Sequence, residues 1–398
     1  MNMTGSILVQ AISGTTGAAT AVYCLAALLL FYVYVGYPLL LAMIGLFVRR
    51  PRSETGYFPS ISVLIAAYNE EEAIERKIRQ TLALEYPADK IEILVLSDCS
   101  TDRTDEIVKT FPDSRVRLVR MAERRGKTEA QNQGIRQARG EVIIFSDATA
   151  IYHPQALLYL ACNYQDASVG AVSGRYQYFD PGNQSPTGLG SVAFWNYENL
   201  IKTLQSRIKT ITGCCGCIYS VRRAAYTELP ADIISDLVQP LQAIQKGYRV
   251  VFEDRALAFE ETTQSTAEEF SMRVRVVTRA MRGLLSVQDL LKPWKFFWPA
   301  FQLWSHKVMR WMVPLFLIVM FASNLFLLDS QIFRVLLAAQ LLFYSAAILN
   351  MLLPLHRRWK PLGIPLFFCT LNAAALVSMI EICRGRKYVT WQTVRARR

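Results

Sequence analysis

Glu70, Asp98 and Asp147 each stand just after a short apolar run, and that pattern is where chemistry first shows. The stretch Glu141-Val142-Ile143-Ile144-Phe145-Ser146-Asp147-Ala148-Thr149 is β-branched and apolar until it breaks into an acid. Residues 91–96 run into Ser97-Asp98, and residues 61–67 run into Tyr68-Asn69-Glu70. Short runs of this composition predict buried parallel strands whose last side chains emerge at the carboxyl edge. Ligands of open α/β sheets bind at that edge. A carboxylate at a strand tip, with no base beside it in sequence, suits a divalent cation that carries a phosphate-bearing substrate. Three such tips would assemble one acidic, hydrogen-bonding edge.

The elements that must hold these tips alternate. Between residues 59 and 230, helix-like patterns at 70–84, 101–110 and 126–138 separate the strands, with a further strand at 115–120. The third helix is entered through a basic loop, Arg124-Arg125-Gly126-Lys127. Strands separated by helices of this length imply a parallel sheet with right-handed crossovers. Beyond it, residues 169–178 read as strand and the rest of 164–190 as irregular. Ser235-Asp236 opens a helix that closes at Gly247, and residues 248–253 read as strand. A helix over 270–285 carries Arg275, Arg279 and Arg282 on one face.

The totals point to a membrane. Of 398 residues, 52% are hydrophobic, and the formal charge is +12. The basic residues cluster beside apolar runs, which favours a lipid surface over nucleic acid. Neither zinc-finger spacing nor a helical reader with interleaved aromatics is present, so no nucleic-acid partner is expected. Residues 22–48 are long and apolar enough to span a bilayer, and Arg49, Arg50 and Arg52 place the chain beyond them in the cytoplasm. Residues 1–21 form an N-terminal segment, polar and frayed over 1–17, with 58–285 a cytoplasmic domain and 286–310 an amphipathic segment lying in the interface. About three apolar stretches fill 311–382, and a basic tail occupies 383–398. If all three span, the tail falls outside the cell, against the rule that basic loops stay inside. Eight cysteines are scattered except for Cys214-Cys215-Gly216-Cys217, and the absence of disulfide or zinc spacing reads as reduced thiols.

No Gly-x-x-x-x-Gly-Lys-Ser/Thr loop and no Gly-x-Gly-x-x-Gly after a strand occurs, which counts against a kinase, an ATPase and a dehydrogenase. The motifs instead resemble those of the family 2 glycosyltransferases. The resemblance is carried by Pro59-Ser60-Ile61-Ser62-Val63-Leu64-Ile65-Ala66-Ala67-Tyr68-Asn69-Glu70-Glu71 and Ser97-Asp98-Cys99-Ser100-Thr101-Asp102-Arg103-Thr104. It continues through Arg125-Gly126-Lys127, Phe145-Ser146-Asp147-Ala148 and Ser305-His306-Lys307-Val308-Met309-Arg310-Trp311. It covers residues 58–283 and looks most like the membrane-embedded hyaluronan, chitin, cellulose and poly-N-acetylglucosamine synthases.

The implications of the resemblance are specific. The fold would be GT-A-like, α/β with a mostly parallel sheet, with transmembrane and interfacial helices at both ends. Tyr68 and Glu70 would border the nucleoside, Asp98 would hold its uracil or ribose side, and Lys127 would face the diphosphate. Asp147 would be the first acid of an Asp-x-Asp motif for Mg2+ or Mn2+, but Thr149 stands where the second acid belongs. Inversion at a sugar carbon needs a base for the acceptor hydroxyl, and Ile234-Ser235-Asp236-Leu237 offers Asp236, with Ser235 replacing a first acid and Asp232 as the fallback. Ser235 could instead cap the helix, leaving Asp236 to complement its dipole. Arg279 and Arg282 could neutralise the departing diphosphate or face lipid head groups. Where processive relatives carry Gln-x-x-Arg-Trp, this chain has Thr278-Arg279-Ala280-Met281-Arg282-Gly283.

The expectation is an inverting hexosyltransferase in the plasma or inner membrane. It would use a nucleotide-sugar donor, UDP-linked, to build a β-linked extracellular polysaccharide on a growing glycan or lipid-linked acceptor. Other polysaccharide assembly or export proteins would be further partners. Two rivals stand beside it: a non-processive transferase acting on a lipid carrier, and a non-catalytic scaffold or sensor for nucleotide sugar.

Overall fold

A computed structural model describes residues 3–48, 53–179, 188–261, 265–353, 355 and 359–390. Arg49, Arg50 and Arg52, on which the orientation rests, and residues 391–398 of the basic tail lie outside the described residues. The chain opens with α1 (Met3–Phe31), a π-helical turn (Tyr32–Gly36) and α2 (Tyr37–Gly45). The helix thus begins well before residue 22, because nothing in the small residues 3–21 breaks it. Then come β1 (Ile61–Ala67), α3 (Ile74–Leu82), β2 (Ile91–Ser97), α4 (Thr104–Lys109), β3 (Val116–Arg120), α5 (Lys127–Gln137) and β4 (Val142–Asp147). The domain continues with β5 (Ile151–Tyr152), α6 (Ala156–Cys162), β6 (Val169–Phe179), α7 (Gly188–Ile208), β7 (Ile218–Arg222), α8 (Ser235–Gln245), β8 (Arg249–Glu261) and α9 (Thr266–Ser286).

Eight strands form one sheet in the order β3-β2-β1-β4-β7-β6-β8-β5. Strands β3, β2, β1 and β4 are parallel, and so are β6 and β8. β7 runs antiparallel between β4 and β6. All seven residues of β1 are buried, as expected of a strand covered on both faces. Its alternation sorts the two cores. Ile61, Val63 and Ile65 pack with Ile93, Val95 and Ile144 under α3, whereas Leu64 joins Leu94, Leu96, Phe145 and Tyr219 on the opposite face. The register sets Ala67 beside Ser97 and Ala66 beside Asp147. Tyr68, Asp98 and Asp147 therefore leave the sheet within two residues of each other.

Phe145 and Tyr219 are cross-strand partners whose rings stack at 4.5 Å between β4 and β7. Both are fully buried. Phe145→Ala is expected to cost about 3–5 kcal/mol, read as a lowered thermal midpoint of the purified protein in detergent.

Among the described residues, four helices are long and apolar enough to cross a membrane: Thr16–Gly45, Phe297–Asn324, Gln331–Leu352 and Lys360–Cys383. They include α10 (Phe297–Gln302), which passes through a π-helical stretch (Leu303–Val308) into α11 (Met309–Asn324), followed by α12 (Gln331–Leu352) and α13 (Gly363–Cys383). The segment expected to lie in the interface, 286–310, divides at Phe297 in the structure. From Phe297 the chain is already helical without a break, and Gln302 and Leu303 are fully buried. The π turns shift the face presented, and Leu303 joins the core that also holds Tyr219 and Leu237.

The start of the tail turns back towards the sheet. α13 packs along α9, with the Ser378 hydroxyl donating to the Val274 carbonyl at 3.1 Å. The chain then returns to the domain that holds the strand tips. Lys387 Nζ lies 4.0 Å from Asp232, and the Val389 carbonyl abuts Gly126.

Candidate active site

The loop before α5 organises the site. Asp98, fully buried at the tip of β2, accepts hydrogen bonds from the backbone N–H groups of Arg125 (2.8 Å) and Gly126 (2.9 Å). Burial pushes its carboxyl up, while those two amides pull it back down. Gly126 sits at φ +89°, a conformation that suits glycine, and Val389 leaves no space for a Cβ. Asp98 therefore acts first as the anchor of the basic loop. Its carboxylate faces loop amides and is not open to a nucleoside.

That anchoring delivers Lys127 to Asp147. The Lys127 ammonium pairs with Asp147 Oδ1 and also reaches the Gly216 carbonyl at 3.4 Å. Burial lowers the ammonium, but the charge and hydrogen bond of Asp147 outweigh it and leave Lys127 above its ordinary value. A cation thus already stands on the carboxylate at the tip of β4. At the tip of β1, the Arg124 guanidinium lies over the face of the Tyr68 ring, 3.6 Å from its centre. Glu70 is buried, and its backbone N–H donates to Thr104 Oγ1 at 2.8 Å.

Asp236 is the second residue of α8, and helix geometry aims it back at this point. Its Oδ2 lies so close to Gly216 that a Cβ there would stand 2.6 Å away. Its other oxygen, Oδ1, is buried with no hydrogen-bond partner among the described residues. Burial raises its carboxyl above the ordinary value, against the opposing pull of Lys127 and Arg279. Ser235 does not cap the helix: the capping position is Ile234 and no side chain closes it. The cysteine cluster belongs to the floor of the site, with the Cys214 N–H on the Asp236 carbonyl at 2.8 Å. All its thiols are free.

The two arginines of α9 serve the loop that precedes Asp236. Arg279 is buried and donates to the Ile233 carbonyl (2.7 Å), the Ala231 carbonyl (3.2 Å) and Thr128 Oγ1 (3.0 Å). Burial draws its guanidinium down to about 10. Arg282 pairs with Asp232 at 3.1 Å, which ties up the fallback base. Both clamp residues 231–233 and so fix where α8 begins.

Two residues of the site were not read from sequence. Glu260, near the end of β8, accepts from Thr149 Oγ1 at 2.6 Å and from the Tyr176 hydroxyl at 2.7 Å. Burial and then the charge of Asp147 raise its carboxyl. Lys77 of α3 is buried behind the pair, with Nζ on the Ala150 carbonyl at 2.6 Å and its ammonium brought down to about 7 by burial. The lysine sits in an amphipathic helix that otherwise reads as surface. The acid lies 111 residues from the threonine that it meets.

These donors fit a divalent cation. Asp147 and Glu260 supply carboxylates, Thr149 a hydroxyl, and the Lys127 ammonium shows that the Asp147 tip accepts positive charge. An all-oxygen set is the chemistry that Mg2+ and Mn2+ prefer, with phosphate oxygens or water completing the shell. No cluster of three or more His, Cys, Asp or Glu side chains occurs among the described residues, so the protein alone does not fill such a shell.

The raised carboxyl of Asp236 has a consequence for pH. If Asp236 works as a carboxylate, its raised pKa moves the acid limb of turnover above the pH at which an ordinary aspartate, about 3.9, would lose its charge. A pH profile of nucleoside diphosphate release that stays flat down to that value would remove Asp236 as the base.

A mostly parallel sheet with acidic side chains at its carboxyl edge, joined to helices fit for a membrane, is the arrangement of a GT-A-like domain. Residues 62–229 match the model of glycosyl transferase family 2, so the chain carries a domain of that family. A Staphylococcus aureus (strain COL) protein named poly-beta-1,6-N-acetyl-D-glucosamine synthase is 29% identical over 237 residues, covering 57% of this chain and 56% of that one. A Bacillus subtilis (strain 168) protein named probable glycosyltransferase YdaM is 25% identical over 228 residues, 54% of each chain. The chain thus spans little more than half the length of these relatives. Among solved structures, a mannosyltransferase from Pyrobaculum calidifontis in complex with GDP-Man and Mn2+ aligns with a TM-score of 0.69. It covers 92% of this chain and 99% of its own at 22% identity, which shows a common fold.

Proposed function

We propose that this chain is a membrane-integrated, inverting glycosyltransferase. It takes a sugar from a UDP-linked donor and adds it in β linkage to a glycan at the membrane. The observation that carries the reading is Asp236 Oδ1, a buried carboxylate oxygen with no hydrogen-bond partner among the described residues, within the field of the Lys127–Asp147 pair. Such an oxygen suits the proton of an acceptor hydroxyl.

The acceptor oxygen attacks the anomeric carbon from the face opposite the diphosphate, and its proton passes to Asp236. The bond from that carbon to the diphosphate oxygen breaks, and the electron pair leaves with the nucleoside diphosphate. Asp147, Glu260 and Thr149 would hold a Mg2+ or Mn2+ ion, which would supply positive charge at the leaving group when bound. Lys127, released from Asp147, neutralises the same group. Tyr68 carries the base once Arg124 moves off its ring, and Asp98 keeps the loop in place throughout. Arg279 and Arg282 hold the base's loop without touching the substrate.

The names of the relatives favour a polysaccharide product, and the arginines after the first apolar run favour a cytoplasmic site. The test is purified protein with Mn2+ or Mg2+ and a panel of labelled nucleotide sugars. Release of nucleoside diphosphate from one sugar, with label moving to acceptor, is expected. No release from any member of the panel would leave the scaffold or sensor reading standing instead.

A further inference from the structure

Lys307, Arg310, Pro314, Leu317 and Phe321 succeed one another at intervals of three and four residues along the helix that leads from the site into the membrane. Such spacing puts them on one stripe. The stripe begins with two cations and continues as an apolar wall. From Arg310 to Phe321 it runs about 16 Å. That wall faces a cavity of about 410 Å3 between α11, α12 and α13, completed by Tyr344, Phe368 and Asn372.

The cationic end of the stripe joins the site. Arg310 pairs with Glu198 of α7, and its guanidinium stacks 4.9 Å from the Phe194 ring. Lys307 Nζ is 4.0 Å from the other Glu198 oxygen, and its stem passes beside Gly213, near Asp236. Lys202, buried on α7, has Nζ 3.3 Å from Cys215 Sγ and acts on Asp236 as well. Tyr34 closes the join on the membrane side. Its ring is 6.0 Å from Phe368, and its hydroxyl lies beside both Asn372 and Arg310.

The charges do not balance. Among the described residues, the carboxylates that act on Lys202, Lys307 and Arg310 are Glu198 and Asp236, and His306 makes its contact with the same Glu198 at 3.0 Å. The nearby Arg273 is already paired with Glu269. Excess positive charge out of water is costly unless an anion completes it.

We infer that this stripe is an acceptor site for a single-chain lipid phosphate. The chain would lie in the groove, the phosphate at Lys307 and Arg310, and the hydroxyl of a sugar linked to that phosphate at Asp236. One groove between three helices takes one chain, which favours a prenyl-type carrier over a two-chain phospholipid of the bilayer. The inference rests on the glycosyltransferase reading and names its acceptor. Transfer then forms the bond from that hydroxyl oxygen to the donor's anomeric carbon, with the proton on Asp236 and the nucleoside diphosphate leaving.

The test is binding, not turnover. The full chain in phosphatidylcholine nanodiscs is titrated with geranylgeranyl phosphate, geranylgeraniol, inorganic phosphate and phosphatidylglycerol, with tryptophan fluorescence as the signal. Geranylgeranyl phosphate is expected to bind roughly tenfold or more tighter than the alcohol, as a charged hydrogen-bonding group should provide. Lys307→Gln should bring the two probes to the same affinity. Leu317→Trp, which fills the groove, should weaken both together while the lipid-free melting temperature stays within a few degrees. Equal binding of phosphate and alcohol by the unaltered protein would overturn the inference. So would displacement of the probe by phosphatidylglycerol at equal concentration, a probe ratio that survives Lys307→Gln, or tight binding of inorganic phosphate alone. Because no nucleotide sugar is used, failure here leaves the transferase reading intact, and an inactive but lipid-binding protein would count against that reading only.

Discussion

Asp236→Asn should reduce sugar transfer by roughly a hundredfold to ten-thousandfold, the range that a positioned general base contributes. Asparagine keeps the size of the side chain and its fit against Gly216, where a Cβ would stand 2.6 Å from Oδ2. It removes only the capacity to take a proton. Donor affinity, measured by calorimetry with the nucleoside diphosphate, is expected to stay within about twofold, because Lys127, Asp147 and the strand tips are untouched. A variant that turns over within a factor of ten of the parent would sink the assignment. Asp232 offers no rescue, since it is engaged by Arg282 at 3.1 Å.

The second large effect concerns the acid that the Asp-x-Asp pattern lacks. Glu260 reaches Thr149 from β8 at 2.6 Å and shares the field of Asp147. Glu260→Gln is expected to weaken Mn2+ binding to the purified protein by roughly 10- to 100-fold, the usual effect of losing a group that holds or supports a ligand. Electron paramagnetic resonance of free Mn2+ reads this without any turnover. Adding Thr149→Asp to that variant should recover much of the affinity by restoring a carboxylate at the strand end. Unchanged Mn2+ affinity in Glu260→Gln would show that β8 takes no part in the cation site.

How far the sequence reveals the site depends on how local each signal is. The tips of β1, β2 and β4 were legible because an apolar run ending in an acid is contiguous, and the register then aligned them without further information. Asp236 was found through motif order. Glu260 was not, because nothing in its own neighbourhood marks it: its meaning lies in a threonine on another strand. α7 escaped for a different reason. Its inward face carries Glu198, Asn199, Lys202 and Gln205, all buried, so the apolar period that announces a helix is broken by the residues that serve the interior. The antiparallel β7 is five residues long and directly follows the cysteine cluster, too short a run for its alternation to stand out. Asp98 was legible as a site residue, but its bonds to the 125–126 amides depend on a loop whose path no spacing rule gives.

The contact between Ser378 and Val274 ties the last apolar helix to α9, and α9 in turn holds the stretch before Asp236 through Arg279. A helix long and apolar enough to cross a membrane is therefore two contacts away from Asp236. If Asp236 is the base, bilayer thickness is expected to reach the geometry of its carboxylate. Turnover compared in short-chain and long-chain lipid bilayers should then differ, and equal rates in the two would show that the link carries nothing.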